Sequence, residues 1–345
     1  MAGPGGAPDE AAWLAATGAL LGAGEVLLTC HLGPDGDALG SMLAVAHALR
    51  AAGRPAVASF SNPLTLPGTL AGLPGFDPGL LTPPERAPVA PDLLVTFDTG
   101  SADRLGDLTG RIGTAGAVLV VDHHVTNTRY GTLHLVDPAA PATAVLVAEL
   151  LDRLGLPLTP EAATCLYVGL ITDTGSFRYA GTGPDTLRLA ARLLETMAAA
   201  GIRHDLICQR IYDTQPFGYH RMLAGVLARA VLEPSAAGGR GLVWTWTTGA
   251  ELAAHGLRYE HCEPVIDVLR TAVEAEVAVV CKELPDGRWA VSTRGKGAID
   301  MGAVCAGLGG GGHRFAAGFT TAEPPATAVG RIRKALAALA DQPSR

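Results

Sequence analysis

Short apolar runs, each ended abruptly by acids or histidines, alternate along the first half of the chain with stretches of helical periodicity. Glu25-Val-Leu-Leu-Thr-Cys30 reads as a strand, and His31-Leu-Gly-Pro-Asp35-Gly-Asp37 follows it at once. Ala38 to Ala52 places its apolar residues at helical spacing and closes on Gly53. Pro55 to Phe60 reads as a second strand, Asn62 to Pro91 as a Pro/Gly-rich connection, and Asp92-Leu-Leu-Val-Thr-Phe97 as a third strand ending at Asp98-Thr-Gly-Ser101. Ala117-Val-Leu-Val-Val then runs into Asp122-His123-His124. Ala142 to Leu154 and Glu161 to Thr172 read as helices, the second leading into Asp173-Thr-Gly-Ser-Phe177. Apolar runs without polar alternation are strands buried on both faces. Their alternation with helices predicts an α/β fold with a doubly wound, mainly parallel sheet.

Asp185 to Ala200 and Arg203 to Arg229 have helical patterns that join two halves. Beyond about Val231 the pattern changes. Leu242 to Thr247 and Val277 to Glu283 read as strands, Pro285-Asp-Gly287 as a turn, and Arg288 to Arg294 as the returning strand of a hairpin. Ile299 to Leu308 reads as a short helix before Gly309-Gly-Gly-Gly-His313, and Pro325 to Ala340 as a terminal helix. The prediction is a smaller α/β domain with a mixed sheet. The expected divisions are a disordered tail over 1–20, a first domain over 21–195, a helical linker over 196–230 and a second domain over 231–341.

A chain of 345 residues is long enough for two cores of this kind. Its net charge of −7 argues against a long nucleic-acid track held by phosphate contacts, but leaves room for a small anionic substrate in a local basic pocket. The six cysteines are scattered without a C-x-x-C pair, so they read as reduced core thiols. No window reaches the length of a membrane span, and the Gly/Pro-rich, acidic start lacks the basic opening of a signal peptide. Both features point to a cytoplasmic protein away from membranes.

The chemistry lies where the apolar segments end. His31, Asp35, Asp37, Asp98, Asp122, His123, His124 and Asp173 all sit just past such segments, and side by side these segments would bring them to one edge of the sheet. Any single acid after a strand is commonly a helix N-cap or turn residue, and Asp37 ahead of Ala38 fits that description. A lone histidine is commonly a hydrogen-bonded core residue. Four such segments in order make a shared site the better reading. Several adjacent carboxylates need a compensating cation, and a mixed carboxylate–imidazole set suits Mn²⁺, Fe²⁺ or Co²⁺ better than Ca²⁺ or structural zinc. Two cations sharing a bridging carboxylate would use about this many ligands, and paired metals are a standard device for in-line attack at phosphorus.

His31-Leu-Gly-Pro-Asp-Gly-Asp37-Ala-Leu-Gly-Ser41, Asp98-Thr-Gly, Asp122-His-His124 and Asp173-Thr-Gly resemble the four motifs of the DHH phosphoesterase superfamily. Ser292-Thr-Arg294 and Gly309-Gly-Gly-Gly-His-Arg-Phe-Ala-Ala-Gly318 resemble its associated C-terminal domain. The combination is similar to the nanoRNase type, bacterial enzymes acting on short oligonucleotides, on 3′-phosphoadenosine 5′-phosphate (pAp) and, in some members, on cyclic di-AMP or pApA. The histidine at position 31 fits this branch, whereas the RecJ-like branch carries an aspartate there. Carried over, the resemblance implies two divalent ions, Mn²⁺ first with Co²⁺ or Mg²⁺ as alternatives, and a hydroxide that they activate. One ion would be held by His31, Asp35 and Asp98, the other by Asp37, Asp98, His123 and Asp173, with Asp98 as bridge. His124 would face the scissile phosphate, and Asp122 would orient an imidazole. Arg104, Arg294, Gly311, Gly312 and His313 would bind substrate, which would lie in a cleft between the domains. The resemblance also implies a homodimer. Its rivals are a manganese pyrophosphatase or exopolyphosphatase of the same superfamily and an inactive nucleotide-binding regulator. Neither fits as well: the Gly-Gly-Gly-Gly-His segment differs from a pyrophosphatase's Lys/Arg grip, and no ligand position is lost.

The remaining features read as structure. Trp244 and Trp246 alternate along a strand and pack, and His204, His220, His255 and His261 fall outside the motifs.

Overall fold

The computed structural model describes residues 6–54, 56–64, 68–75 and 80–340. It divides into two compact units, Met1–Thr214 and Gln215–Arg345. Residues 1–5 of the expected tail, Pro55, parts of the 62–91 connection and residue 341 lie outside the described residues.

The first unit begins with helix α1 (Glu10–Gly22), capped by Asp9, whose side chain accepts from the Ala12 amide. The expected disordered tail is therefore corrected from residue 10 onward. Trp13, Ala16 and Leu20 recur at helical spacing and are buried in the unit's core, and the Arg153 guanidinium lies 4.9 Å from the Trp13 ring centre. A Gly/Pro-rich opening masked a helix whose order comes from the surface that Trp13, Ala16 and Leu20 cover.

Strands β1 (Val26–Cys30), β2 (Ala56–Ala58), β3 (Leu93–Phe97), β4 (Ala117–Asp122) and β5 (Leu133–Val136) form one parallel sheet in the order β2-β1-β3-β4-β5. All five residues of β1 and of β3 are buried, as continuous apolar runs require of central parallel strands. The doubly wound parallel sheet is as expected, with β5 added. That strand is only four residues long and contains His134, too little pattern to read without its partner β4.

Chain order reverses between β1 and β3. In such sheets the crevice outside the carboxyl ends of the strands at that point is where ligands bind. Helix α2 (Gly36–Ala51) follows β1, and α3 (Thr143–Arg153) and α4 (Pro160–Asp173) follow β5. Helices α2 and α4 meet backbone to backbone. A Cβ on Gly40 would fall 2.3 Å from the Cys165 carbonyl oxygen, and one on Gly169 would fall 2.8 Å from Asp37 Oδ1. This close approach brings the first turn of α2 to the C-terminal end of α4.

The helical stretch from 185 to 229 is three helices: α5 (Pro184–Ala199), α6 (His204–Tyr212) and α7 (Phe217–Ala228). The single helix expected over Arg203–Arg229 is broken ahead of Pro216, which lacks an amide hydrogen to donate. Tyr212 Oη on α6 donates to the Ile171 carbonyl, while Tyr219, Met222 and Val226 of α7 enter a core cluster of the second unit.

The second unit carries β6 (Val231–Glu233), a short turn of helix α8 (Ala236–Gly239), β7 (Leu242–Thr247), α9 (Gly249–Ala254), α10 (Val265–Leu269), β8 (Val277–Glu283), β9 (Trp289–Gly295), α11 (Met301–Ala306), β10 (Gly311–Gly312), β11 (Ala316–Thr321) and α12 (Pro325–Ala340). Its sheet is mixed, in the order β10-β11-β9-β8-β7-β6, with β7 and β8 parallel and the other pairs antiparallel. Strand β11 went unread because Ala-Ala-Gly has weak strand propensity; its place between β9 and β10 makes it one. All six cysteines are free and five are buried. Among the described residues no helix is long and apolar enough to cross a membrane.

Candidate metal centre

Asp98 sits at the carboxyl end of β3, at the chain reversal, with φ at 53°. That left-handed backbone is uncommon for any residue but glycine, and strain of this kind collects at functional sites. Its two carboxylate oxygens face different groups. Oδ2 lies 3.7 Å from His31 Nε2, while Oδ1 lies 3.5 Å from both His123 Nε2 and His124 Nδ1. Asp35 Oδ2 is 3.8 Å from His31 Nε2 on the first side. On the other side, Asp37 Oδ2 is 4.0 Å and Asp173 Oδ2 3.0 Å from His123 Nε2.

Around an octahedral cation with bonds near 2.1 Å, neighbouring donor atoms lie about 3 Å apart and opposite ones about 4.2 Å. The observed separations fall in that range. His31, Asp35 and Asp98 make one such group; Asp37, Asp98 and His123 make another, and Asp98 belongs to both. His31, Asp37, Asp98 and His123 are buried; Asp35 is the exposed member.

Hydrogen bonds aim these side chains. The Leu32 carbonyl accepts from His31 Nδ1 at 3.0 Å and the Ala140 carbonyl from His123 Nδ1 at 3.0 Å, which leaves each Nε2 toward the acids. The N-terminus of α3 holds the carboxylates in turn. Thr143 N and Ala144 N donate to Asp37 Oδ2 and Oδ1 at 2.6 and 2.9 Å, and Thr143 Oγ1 donates to Asp98 Oδ1 at 2.9 Å. A helix N-terminus is a natural seat for carboxylates. Each oxygen keeps a further lone pair for a cation.

Burial and crowding set the charges. Burial, then the Asp98 and Asp173 carboxylates, raises Asp37 well above the ordinary carboxylate range. Asp98 is pushed up to about 6 by burial and by Asp35 and Asp173, against the pull of His124 and His123. Burial opposes protonation of His123, but the Asp173 hydrogen bond and the surrounding acids raise it well above the usual imidazole value. Protons here stand where positive charge is demanded, and a divalent cation meets that demand better.

Asp122, fully buried, groups with Asp98 and His124, their donor atoms all within 4.8 Å of one another, and it is engaged by its own hydrogen bonds. Its Oδ1 accepts from His124 Nδ1 at 2.7 Å and from the His123 amide at 2.9 Å. Its Oδ2 accepts from Asn127 Nδ2 at 2.5 Å. Burial opposes protonation of His124, yet the Asp122 bond and the Asp98 and Asp122 charges raise its pKa. Arg104 stands beside the group, its Nη2 within 3.1 Å of His31 Nδ1 and its carbonyl accepting from Leu32 N at 2.8 Å.

Sequence reading missed Asn127 and Thr143. Asn127 lies five residues past Asp122 with no periodicity to mark it. Thr143 looks like an ordinary start of a helix.

In the second unit, Arg294 on β9 pairs in register with Ala316 on β11, and Gly311 and Gly312 of β10 pair with Gly318 and Ala317. His313 N donates to the Ala316 carbonyl at 2.7 Å, closing the β10–β11 hairpin. Gly312 has φ at 136°, and a Cβ there would fall 2.6 Å from the Ala316 oxygen, so only glycine fits. The sheet thus brings the Arg294 strand and the glycine hairpin to one end.

Residues 25–170 match the model of the DHH family, N-terminal domain, and residues 249–342 that of the DHHA1 domain. Over 297 residues, 86% of this chain and 84% of the other, the chain is 33% identical to the bifunctional oligoribonuclease and PAP phosphatase NrnA of Thermus thermophilus. The chain belongs to the DHH family. A second relative, NrnA of Bacillus subtilis, is 30% identical over 106 residues, which is 30% of this chain and 33% of that one. The fold is shared with an exopolyphosphatase-related protein from Bacteroides fragilis at TM-score 0.83 and 22% identity, covering 96% of this chain and 97% of that one. DHH phosphoesterases are metal-dependent hydrolases, and the buried acid–imidazole groups supply the donors that such chemistry uses.

Proposed function

We propose that this DHH chain is a phosphodiesterase and phosphatase that releases mononucleotides from short oligonucleotides and AMP from pAp, with pApA and cyclic di-AMP in the same substrate class. The observation that carries the reading is the split carboxylate of Asp98, one oxygen toward His31 and the other toward His123. The names of the Thermus and Bacillus relatives support the substrate class.

In this reading His31, Asp35 and Asp98 hold one divalent ion, and Asp37, Asp98, His123 and Asp173 a second, Mn²⁺ before Co²⁺ or Mg²⁺. Bound there, the pair activates water and neutralises charge on the phosphoryl oxygens. Asp122 keeps a proton on His124 Nδ1, and the raised pKa of that ring leaves Nε2–H able to donate to a phosphate oxygen or to the departing ribose oxygen. Attack by water forms one P–O bond and releases the water's proton to solvent, the bond to the leaving oxygen breaks, and the proton from Nε2 completes the departing hydroxyl, after which His124 takes a proton back from solvent. Arg104 contacts the phosphate from the first unit. Arg294, Gly311, Gly312 and His313 serve the substrate from the second. The same reading makes the protein a cytoplasmic homodimer.

The test offers pApA, pAp, cyclic di-AMP and pyrophosphate together with Mn²⁺ and follows each by chromatography. AMP appearing from pApA or pAp is the expected result. Loss of pyrophosphate alone would replace the nucleotide reading with a pyrophosphatase, and no turnover of any would leave a binding protein.

A further inference from the structure

The carboxylates of the candidate metal centre are held in different ways. Thr143 N and Ala144 N seat Asp37, the Thr143 hydroxyl seats Asp98, and the Asp37 and Ala38 amides donate to Asp35 Oδ1 at 3.2 and 3.1 Å. Asp173 has no such donor among the described residues. Its carboxylate meets His123 alone, and its side chain is 23% exposed. The direction of Asp173 is therefore set by its backbone.

That backbone leads into an unusual turn. Asp173 is the last residue of α4, and Gly175, Ser176 and Phe177 follow it with φ at 56°, 58° and 64°. One left-handed glycine is an ordinary end to a helix. Two further left-handed residues that carry side chains are held against their own preference. The turn folds back where Ser176 N donates to the Ile171 carbonyl at 2.7 Å and Phe177 N to Thr174 Oγ1 at 3.0 Å. Tyr212 Oη, on the last residue of α6, donates to the same Ile171 oxygen at 2.7 Å. One oxygen, two residues before Asp173, thus takes both the bond that closes the turn and a bond from another helix. Ile207, Cys208 and Ile211 already pack α6 against the core, whereas Tyr212 is 40% exposed, so the hydroxyl is its main contribution.

We propose that Tyr212 is a positioning residue for the metal centre: its hydroxyl holds the left-handed turn after α4, and through it the direction of the Asp173 carboxylate. The inference rests on the two-ion reading above and deepens it. Without the hydroxyl the strained turn relaxes, Asp173 swings from His123, and the ion those two share is held less well.

The test titrates the metal-free full chain with Mn²⁺ by calorimetry. The wild type is expected to bind two ions. In Tyr212→Phe one affinity should fall about tenfold while the other holds, the size of effect that loss of an orienting partner produces. Tyr167→Phe is the control for the docking of α6: its hydroxyl lies 3.5 Å from His204 Nδ1 and 3.7 Å from Cys208 Sγ, away from the turn, and both affinities should stay at wild type. Ser176→Gly added to Tyr212→Phe removes the penalty for a left-handed residue and should recover most of the lost affinity. Ser176 also faces the phenol, a contact that the Tyr212→Phe chain has already lost. Equal losses at both ions, a matching loss in Tyr167→Phe, or no recovery with Ser176→Gly would overturn the role of Tyr212. Fewer than two ions on the wild type defeats the two-ion reading, and Tyr212 falls with it. Two ions on the wild type with both affinities unchanged in Tyr212→Phe defeats the role of Tyr212 alone.

Discussion

Asp122 is fully buried and its carboxylate serves three donors, His124 Nδ1, the His123 amide and Asn127 Nδ2. Asn127 is itself held, its Oδ1 accepting from the Arg129 amide at 2.7 Å. Removing the amide would leave Asp122 Oδ2 short of a donor in a dry place, and the imidazole it aims would lose its fixed direction. Partners of this rank are worth about 10–100-fold in activity. Asn127→Ala should therefore lower kcat by a factor in that range while Mn²⁺ content holds, because Asn127 touches none of the metal-facing oxygens. Parallel measurement of kcat and bound Mn²⁺ checks this, and an unchanged kcat would detach Asn127 from the orientation of His124.

At the scale of elements, the centre depends on how closely α2 and α4 approach. Asp37 stands in the first turn of α2 and Asp173 at the end of α4, so any separation of the two helices pulls their carboxylates apart. Gly40→Ala would place a methyl 2.3 Å from a backbone oxygen that has no rotamer to yield. Overpacking of this kind costs about 1–3 kcal/mol, and here it should weaken Mn²⁺ binding as well. Gly18 is the control: it lies inside α1 with nothing within 4 Å of an added Cβ. Gly18→Ala should stabilise by about 0.5–1 kcal/mol through helix propensity alone. Thermal unfolding of both variants with and without Mn²⁺ separates the effects. A Gly40→Ala protein with wild-type Tm and metal affinity would show that the helices have room to spare.

For the whole molecule, stability and metal are linked through protons. With its pKa near 6, the Asp98 carboxyl of the folded, metal-free chain keeps a proton that the unfolded chain has already lost. Its contribution to stability is therefore present at low pH and falls as pH rises from the ordinary carboxylate value toward 6. The raised His31, His123 and His124 imidazoles act in the same direction at higher pH. A cation would need Asp98, His31 and His123 free of those protons, so metal affinity runs the opposite way and rises with pH. A metal at a thousand times its Kd adds about 4 kcal/mol of stability. The Tm gain on adding Mn²⁺ should thus be large near pH 7.5 and shrink near pH 5, and Asp98→Ala should abolish it at both. Calorimetric scans at the two pH values decide the matter; a gain independent of pH would mean that the buried acids are not the ligands.

The amino-acid sequence by itself determined the central parallel strands, the mixed second sheet and the motif residues at the strand ends. Those signals are local: a buried strand is a continuous apolar run, and the candidate site residues are acids and imidazoles just past the end of such an apolar segment. Tertiary structure alone decided the rest. Helix α1 is ordered by the core that covers Trp13, and β5 and β11 are strands because β4 and β9 present open edges to them. Thr143 and Asn127 matter because of carboxylates 45 and 5 residues away. The division of Asp98 between His31 and His123 comes from chain segments brought together by packing. No spacing within one segment encodes a distance between two, which is why the kind of chemistry was legible in the chain and its geometry was not.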